Sequence, residues 1–255
     1  MSTPVTTYPP LELRSQIANP IVTGTLYTAA TVTELGNPAR IDGGARIEQT
    51  NAGEGYGTWE LECPTPADAT EKRGERAGAL EFPAFAAWAV DECSLVGTSE
   101  QEAMDLAAQK LRLNEERIVS ERFAETLLDR AGSAATADGG IVGAVAALEE
   151  LLGESGIRGV IHAARRHVAT AADKGMVVRG AAGRLETPGG HAWAFGLGYR
   201  GLGSTLVATG PVTIFRAPVA VTPGIDHRQN ERTALAEREI LPTYELFAVA
   251  HEIGA

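Results

Sequence analysis

The longest regular pattern of hydrophobic positions runs from Gly97 to Arg130. Apolar side chains recur there at intervals of three and four residues, which places them on one face of an α-helix. They are Met104, Ala107, Ala108, Leu111, Ile118, Val119, Phe123, Leu127 and Leu128. Ser99 and Glu102 form a capping-box pair at the start of this pattern. At about 1.5 Å per residue the helix spans roughly 45–50 Å, so we expect a long structural helix in an extended subunit.

The chain before this helix has two different patterns. Residues 1–42 contain five prolines, which forbid a long helix, with short extended runs between them. We expect an arm that lies across a surface and has little core of its own. Residues 43–92 contain alternating runs at 46–50 and 58–62 around a glycine-rich segment, which is typical of a hairpin. The polar stretch 64–78 predicts a charged, mobile tip.

The chain after the long helix predicts a mixed region of short helices and strands. Helical patterns cover 141–152, which Gly153 should end, and 163–173. Strand patterns cover 159–162, 191–197, 205–208 and 212–221. The last segment, 229–253, alternates helical and strand-like patterns, and its secondary structure stays open. The fold class predicted for the whole chain is α+β.

Composition excludes several functional classes. With 22 basic and 33 acidic residues the formal net charge is −11, and no basic stripe is present to displace counterions from a nucleic acid. No apolar run approaches the ~20 residues of a membrane-spanning helix, so we expect no membrane partner. The N-terminus lacks the basic and apolar regions of a secretory signal. The two cysteines, Cys63 and Cys93, are expected to be ordinary thiols in a reducing compartment.

Possible catalytic motifs have better structural explanations. Gly196, Gly198 and Gly201 match a dinucleotide-binding pattern, but no helix-forming sequence follows them, as that site requires. His162 and His167 are five residues apart, which suits neither one helix face nor a metal shell without further ligands. The sequence therefore predicts no enzyme activity, no cofactor and no metal.

Several longer stretches resemble one protein family. Residues 82–93 (FPAFAAWAVDEC) lead into the long helix as in the major capsid proteins of tailed bacteriophages with the Hong Kong 97-type fold. Residues 144–175, with GVIHAARRHVATAADKG at their centre, and 209–253, with ATGPVTIFRAPV, are also similar to that family. The local sequence of these stretches is most similar to that of capsid proteins from phages of actinobacteria.

The resemblance implies a Hong Kong 97-like division of the chain. Residues 1–42 would be the N-terminal arm, 43–92 the E-loop hairpin and 93–131 the peripheral domain with its spine helix. Residues 132–210 would form the axial domain, and 211–255 would return to the peripheral domain. The implied function is a structural subunit that self-assembles into hexamers and pentamers of an icosahedral phage head enclosing double-stranded DNA.

The resemblance also implies partners and a location. The partners would be other copies of the chain, a portal and a separate scaffolding protein, because no long helical scaffolding segment precedes the arm. Packaged DNA would be enclosed only loosely by an acidic wall. The chain would be assembled in the bacterial host cytoplasm and reside in the virion capsid. Two alternatives stay open: an encapsulin-like compartment shell or minor virion protein of the same fold, and an unrelated small-molecule-binding enzyme.

Some capsids of this fold join their subunits through an isopeptide bond between a lysine and an asparagine, with a glutamate as base. The resemblance suggests Lys72 at the hairpin tip, with Asn230 and Glu237 in the closing segment, as a speculative equivalent. In this chemistry the free amine would attack the carboxamide carbon. The alternative is that Lys72 lies on a solvated tip and that Asn230 forms a turn.

Overall fold

The computed structural model describes residues 15–36, 41–58 and 72–254. The described residues form two main β-sheets, two short strand pairs and a small number of helices. The helices are α1 (Leu26–Ala29), α2 (Glu100–Ala131), α3 (Gly140–Ser155) and α4 (Val168–Asp173). Short 3₁₀ turns lie at Arg165–His167, Ala181–Gly183 and Tyr199–Leu202.

The first sheet has five strands and packs against α2. Its strands are β1 (Thr31–Glu34), β6 (Phe85–Ser94), β13 (Val212–Arg216), β14 (Ala220–Asp226) and β15 (Glu231–Tyr244). β15 is the longest strand and pairs with β13, β14 and β6, all antiparallel. β1 joins the sheet as a parallel neighbour of β13. Strands distant in the chain therefore meet on the helix.

The second sheet has seven strands in the order β7-β16-β12-β8-β11-β10-β9. These strands are β7 (Ala135–Ala137), β8 (Val160–His162), β9 (Val178–Arg179), β10 (Leu185–Glu186), β11 (Ala192–Ala194), β12 (Thr205–Thr209) and β16 (Ala248–Ile253). α3 packs on β12 and β16. Because β16 follows β15 directly, the end of the chain ties the two sheets together.

Two short antiparallel pairs form a ribbon. β2 (Ala45–Ile47) pairs with β5 (Leu80–Phe82), and β3 (Gly53–Glu54) pairs with β4 (Glu75–Arg76). The two strand pairs have the same antiparallel sense, so residues 43–58 and 72–82 run alongside each other as one ribbon. We call these residues the ribbon below.

The prediction for α2 is confirmed. Ser99 is its N-cap, and the Ser99 hydroxyl accepts a hydrogen bond from the Glu102 amide at 3.1 Å. The fully buried stripe includes Leu111, Phe123 and Leu127 and lies on the first sheet. At 32 residues the helix is roughly 48 Å long.

Four local predictions were wrong. Of the predicted strand at 46–50, Arg46 and Ile47 pair with β5, and the glycine-rich segment after it contains β3 instead of a tight turn. Thr58 lies in no strand, and residues 59–71, which include the rest of the predicted partner run and most of the expected tip, lie outside the described residues. α3 continues past Gly153 and ends at Ser155, and Gly156, with a φ of 67°, supplies the left-handed C-cap. The predicted strand at 212–221 is broken at 217–219.

The fourth difference concerns the front of the chain. Thr25 and Leu26 are almost completely buried, and β1 is hydrogen-bonded to β13. Residues 24–34 are therefore fixed to their own subunit, with Leu26 and Ala30 in its core, against the expectation of an arm with little core. The apolar side chain of Leu26 supplies the physical reason, because its burial in this core stabilises the fold.

Candidate functional site: a junction on the long helix

The glycines of the dinucleotide-like pattern serve close packing against α2. The Gly198 amide donates to the Ser120 hydroxyl at 2.7 Å, and a Cβ on Gly198 would collide with the Arg117 carbonyl oxygen. A 3₁₀ turn, Tyr199–Leu202, follows in place of a helix N-terminus that could meet a pyrophosphate. The pattern therefore marks a contact between a loop and a helix.

The two histidines singled out in the sequence form hydrogen bonds with protein groups. His162 is fully buried, with Nδ1 at 2.8 Å from the Tyr199 hydroxyl and Nε2 at 3.0 Å from the Thr209 hydroxyl. Thr209 donates its own proton to the Gly210 carbonyl, so it accepts from Nε2–H, and Nδ1 accepts from Tyr199. Burial lowers the pKa of His162 to about 3, so the ring is neutral at pH 7.

His167 contacts the Gly203 carbonyl at 2.9 Å and lies apart from this pair of hydrogen bonds. Across the described ranges, no group of three His, Cys, Asp or Glu side chains is arranged to hold a metal ion. In the same part of the chain, no helix is both long and apolar enough to cross a bilayer.

The speculative cross-linking residues lie in different places. Lys72 precedes β4 in the ribbon, and Asn230 lies in the turn between β14 and β15 with a φ of 58°. Glu237 is exposed in the middle of β15. At about 3.3 Å per strand residue, Asn230 and Glu237 are roughly 23 Å apart. A centre containing both side chains would therefore need more than one subunit, and the cross-link stays a prediction.

Glu116 on α2 links two distant segments of the chain to the long helix. Its carboxylate is 7% exposed, and its two oxygens accept from the Leu26 and Leu197 amides, each at 3.0 Å. Thr25, the N-cap of α1, makes no side-chain cap, so the Glu116 side chain provides one from another element. Burial raises the pKa of Glu116, opposed by its hydrogen bonds from Leu26 and Leu197.

The neighbouring Glu115 ties the same helix to the first sheet. It accepts from the Tyr27 hydroxyl at 2.8 Å, from Arg216 at 2.8 Å and from Arg238 at 3.2 Å. Arg216 also pairs with Glu34 of β1. One carboxylate thus connects α1, α2, β13 and β15, and its charge is compensated by two arginines.

Backbone contacts complete this junction on the side of the second sheet. The Phe195 amide donates to the Gly24 carbonyl at 2.9 Å, and the Gly24 amide donates to the Gly183 carbonyl at 2.9 Å. The Arg165 guanidinium donates to the Phe195 carbonyl at 3.1 Å. Residues 23–30 are consequently bonded to the long helix and to segments next to β10 and β11, and the Arg216 guanidinium of β13 lies over the Tyr27 ring.

The junction holds segments in place. Its carboxylates accept hydrogen bonds from backbone amides, the Tyr27 hydroxyl and two guanidinium groups. Sequence reasoning missed it, although one signal was present. Glu115 follows Leu111 by four residues, so a charged side chain interrupts the apolar face of the helix. A charge at such a position predicts a buried ion pair.

An apolar cleft of about 560 Å³ lies beside the junction. Ile21, Val22, Leu111 and Val219 line its walls, and Arg216 and Arg238 lie among its lining residues. Ile21 and Val22 are more than half exposed at its rim. The ion pairs with Glu115 already engage the two arginines, so the cleft has the character of a contact surface.

The chain is similar to known proteins at the level of structure. No protein-family model matches the sequence, and no curated protein matches it significantly. The capsid of Ralstonia phage GP4 superposes with a TM-score of 0.55 at 8% identity, covering 96% of each chain. The capsid of a native GTA particle gives 0.54 at 12% identity, covering 97% of this chain and 96% of that one.

A third similar structure is a virus-like particle from Pyrococcus furiosus. It has a TM-score of 0.50 at 10% identity and covers 89% of this chain and 92% of that one. At such low identity these likenesses establish the fold alone. The chain has the Hong Kong 97-type capsid fold, as the resemblance seen in its sequence implied.

Proposed function

We propose that this chain is a structural subunit of a closed protein shell and has no catalytic role. The observation that carries the proposal is the extent of the likeness to the GP4 capsid, which covers 96% of both chains. A likeness of that extent includes the ribbon, the long helix and both sheets rather than one small motif. The junction on α2 supports it, because its polar groups hold segments together.

Each region then has a role in assembly. Residues 1–42 are the N-terminal arm, with 24–34 fixed to their own subunit, and 43–92 are the E-loop. Residues 93–131 carry the spine helix of the peripheral domain, 132–210 form the axial domain, and 211–255 return to the peripheral domain. A ribbon and an arm that reach neighbours let each subunit bury surface against several others, which converts weak pair contacts into a stable shell.

The shell we propose is the icosahedral head of a bacteriophage, built from hexamers and pentamers around double-stranded DNA. Contacts between unlike surfaces of neighbouring subunits close into rings, which are the pentamers and hexamers of such a shell. The formal charge of −11 supports loose enclosure of DNA, since an acidic wall repels a polyanion. The further partners would be a portal and a separate scaffolding protein, with assembly in the host cytoplasm. The similarity of sequence to phages of actinobacteria stays a prediction.

A second candidate is a shell that encloses protein instead of a genome. The likeness to a virus-like particle from Pyrococcus furiosus favours it. The two candidates differ in particle content. Purified particles would contain DNA in the first case and a cargo protein in the second, as shown by nuclease-resistant nucleic acid and by protein gels.

Size-exclusion chromatography and negative-stain microscopy of the expressed chain test the proposal. We expect closed shells or capsomer rings. A monomer that stays monomeric at high concentration would contradict the proposal and would favour the small-molecule-binding alternative, with the cleft beside Leu111 as its site.

Covalent cross-linking is a separate part of the proposal. Boiling assembled particles in SDS should give a ladder of oligomers if Lys72 and Asn230 are joined. The ladder should vanish in Lys72→Ala and persist in Lys174→Ala, a control lysine distant in sequence. A single band at the mass of one chain would rule the bond out and leave the shell proposal intact.

A further inference from the structure

The first sheet has a second face that α2 does not cover. On the covered face, Ala87, Ala234 and Ala236 are buried against the helix. Ion pairs between Lys110 and Asp91 and between Arg232 and Glu100 join that face to α2. β15 pairs with β14 and with β6 without interruption. Because successive side chains of a strand point to opposite faces, every second residue of these strands lies on the face that α2 does not cover.

We call this opposite surface of β6, β14 and β15 the outer face. It contains five carboxylates and no lysine or arginine. Its residues are Ala86, Trp88, Val90, Glu92, Ser94, Ala220, Thr222, Gly224, Asp226, Glu231, Thr233, Leu235, Glu237 and Glu239. The arginines of β15, Arg232 and Arg238, lie on the covered face, where they bond to Glu100 and Glu115.

A partly exposed apolar strip crosses the outer face. Trp88 is 59% exposed, which is unusual for so large an apolar side chain. Val90 lies two residues further along β6, and Leu235 is its direct partner on β15. Tryptophan is among the residues that contribute most to protein interfaces. The strip therefore provides an apolar contact at the centre of the face.

The carboxylates beside the strip lack positive partners. Glu237 lies directly opposite Trp88, and Glu92 lies two residues beyond Val90. In the parts of the chain that the structure describes, neither carboxylate forms an ion pair with a basic side chain. Desolvation, Asp42 and Glu237 together raise the pKa of Glu239, as expected where carboxylates crowd. The surface is uncompensated and negative.

We propose that the outer face binds a positively charged amphipathic helix of a partner protein. Three strands about 4.8 Å apart give a face roughly 10 Å wide between outer strand axes, which matches the diameter of one helix. Lysines and arginines of that helix would meet Glu92 and Glu237, and its apolar residues would cover Trp88. Electrostatic complementarity of this kind selects the partner and speeds encounter.

The charge of the face also decides against other occupants. Two copies meeting through the same face would oppose five carboxylates to five, which repels them. A nucleic acid would be repelled for the same reason. The inference goes beyond shell formation and does not depend on it, since it concerns a surface of the isolated subunit.

Fluorescence anisotropy with a labelled synthetic helix tests the inference. The probe is an amphipathic peptide of about 14 residues, roughly 21 Å long, built from Leu, Ala, Lys and Arg. The same peptide with glutamate at its basic positions serves as a control. We expect the basic peptide to bind the wild-type chain and the acidic peptide to show no binding.

Charge-matched variants distinguish this face from general attraction to an acidic protein. Glu92→Lys with Glu237→Lys should weaken binding at least about tenfold, whereas Glu150→Lys with Glu154→Lys, exposed on α3, should change it less than about twofold. Trp88→Ala should weaken binding about tenfold, and Val178→Ala, also exposed, should not. If the lysine variants unfold, the double variant Glu92→Gln with Glu237→Gln replaces them, and we expect a smaller loss of peptide affinity from it.

Equal loss of peptide binding in both charge-reversed pairs would overturn the proposal. Unchanged peptide affinity in Trp88→Ala would also overturn it. A change in self-association without a change in peptide binding would also overturn it, because the occupant would then be a second copy of the chain. Since all of these measurements use the soluble subunit, their failure leaves the shell proposal to its own microscopy test.

Discussion

The ribbon differs from the rest of the described subunit in how its side chains are packed. We call that remainder, residues 15–36, 41–42 and 83–254, the body. In the body, Leu111, Phe123 and Trp193 are almost completely buried, and charged groups such as Glu115 have several partners. In the ribbon between residues 43 and 79, among side chains whose exposure is described, only Gln49 is buried. A two-stranded ribbon is marginally stable by itself in water. The body can thus fold alone, and the ribbon is suited to contacts with other molecules.

Contacts between the ribbon and the body lie at the base of the ribbon, where Phe82 joins the core and Ile47 and Leu80 pack against it. Gln49 accepts from the Leu246 amide at 2.6 Å, and Asn51 donates to Glu245 at 2.6 Å. Phe82, at the end of the ribbon, packs edge-on against Tyr244. These contacts set the base of the ribbon, while its exposed β3 and β4 pairs rest on no core. Damage to the body should therefore abolish folding, whereas damage to the ribbon should affect assembly alone.

The largest expected effect comes from the core of α2. Replacing both Leu111 and Ile118 by alanine should cost at least about 4 kcal/mol of unfolding free energy, because Leu111 is buried and the partly buried Ile118 packs against the same core. A proline at Arg112 should cost about 3 kcal/mol or more. Urea unfolding, soluble yield and particle yield measure the loss. Leu106→Ala is the control, since Leu106 is 44% exposed on the same helix. Wild-type particle yield from the double variant would refute the structural role of α2.

A smaller effect is expected at the junction. Glu116→Ala leaves the Leu26 and Leu197 amides without their acceptor, and each unsatisfied buried donor costs about 1–3 kcal/mol. Glu121→Ala, on the exposed side of α2, should cost less than about 0.5 kcal/mol. Thermal unfolding compares the two variants. Equal stability would show that Glu116 does not hold residues 24–30 in place.

The pH dependence of the body gives a third, smaller effect. His162 has a pKa of about 3 when folded and about 6.5 when unfolded, so the unfolded chain binds an additional proton between these values. Its contribution to stability is complete above pH 6.5 and decreases by about 1.4 kcal/mol per unit as the pH falls. The raised pKa of Glu116 acts in the opposite direction.

A variant that lacks His162 isolates this contribution. His162→Gln should show a shallower fall in unfolding free energy between pH 6.5 and pH 5 than the wild type, measured in urea. His227→Gln, exposed in the β14–β15 turn, is the matched control and should keep the wild-type slope. Identical slopes for all three proteins would show that His162 is protonated without penalty.

The sequence predicted α2 well because its cap and apolar face are local features. It predicted the Hong Kong 97-type fold through resemblance, and structural similarity agrees. It could not resolve 229–253, since β15 is buried on one face by a helix and flanked by strands distant in the chain. The burial of Leu26 was missed for the same reason. The partner of the Leu26 amide, Glu116, is 90 residues away in the sequence. Leu197, which donates to the other oxygen of the same carboxylate, lies farther still, and only tertiary contact reveals this arrangement.

The central claim is that the body folds alone and the ribbon serves assembly. Its most direct test is negative-stain microscopy of the full chain beside a variant in which residues 52–77 are replaced by a short glycine-serine turn. The account predicts closed shells from the full chain, and from the variant a folded subunit with nearly unchanged unfolding free energy and no shells. Shells from both proteins, or an unfolded variant, would contradict it.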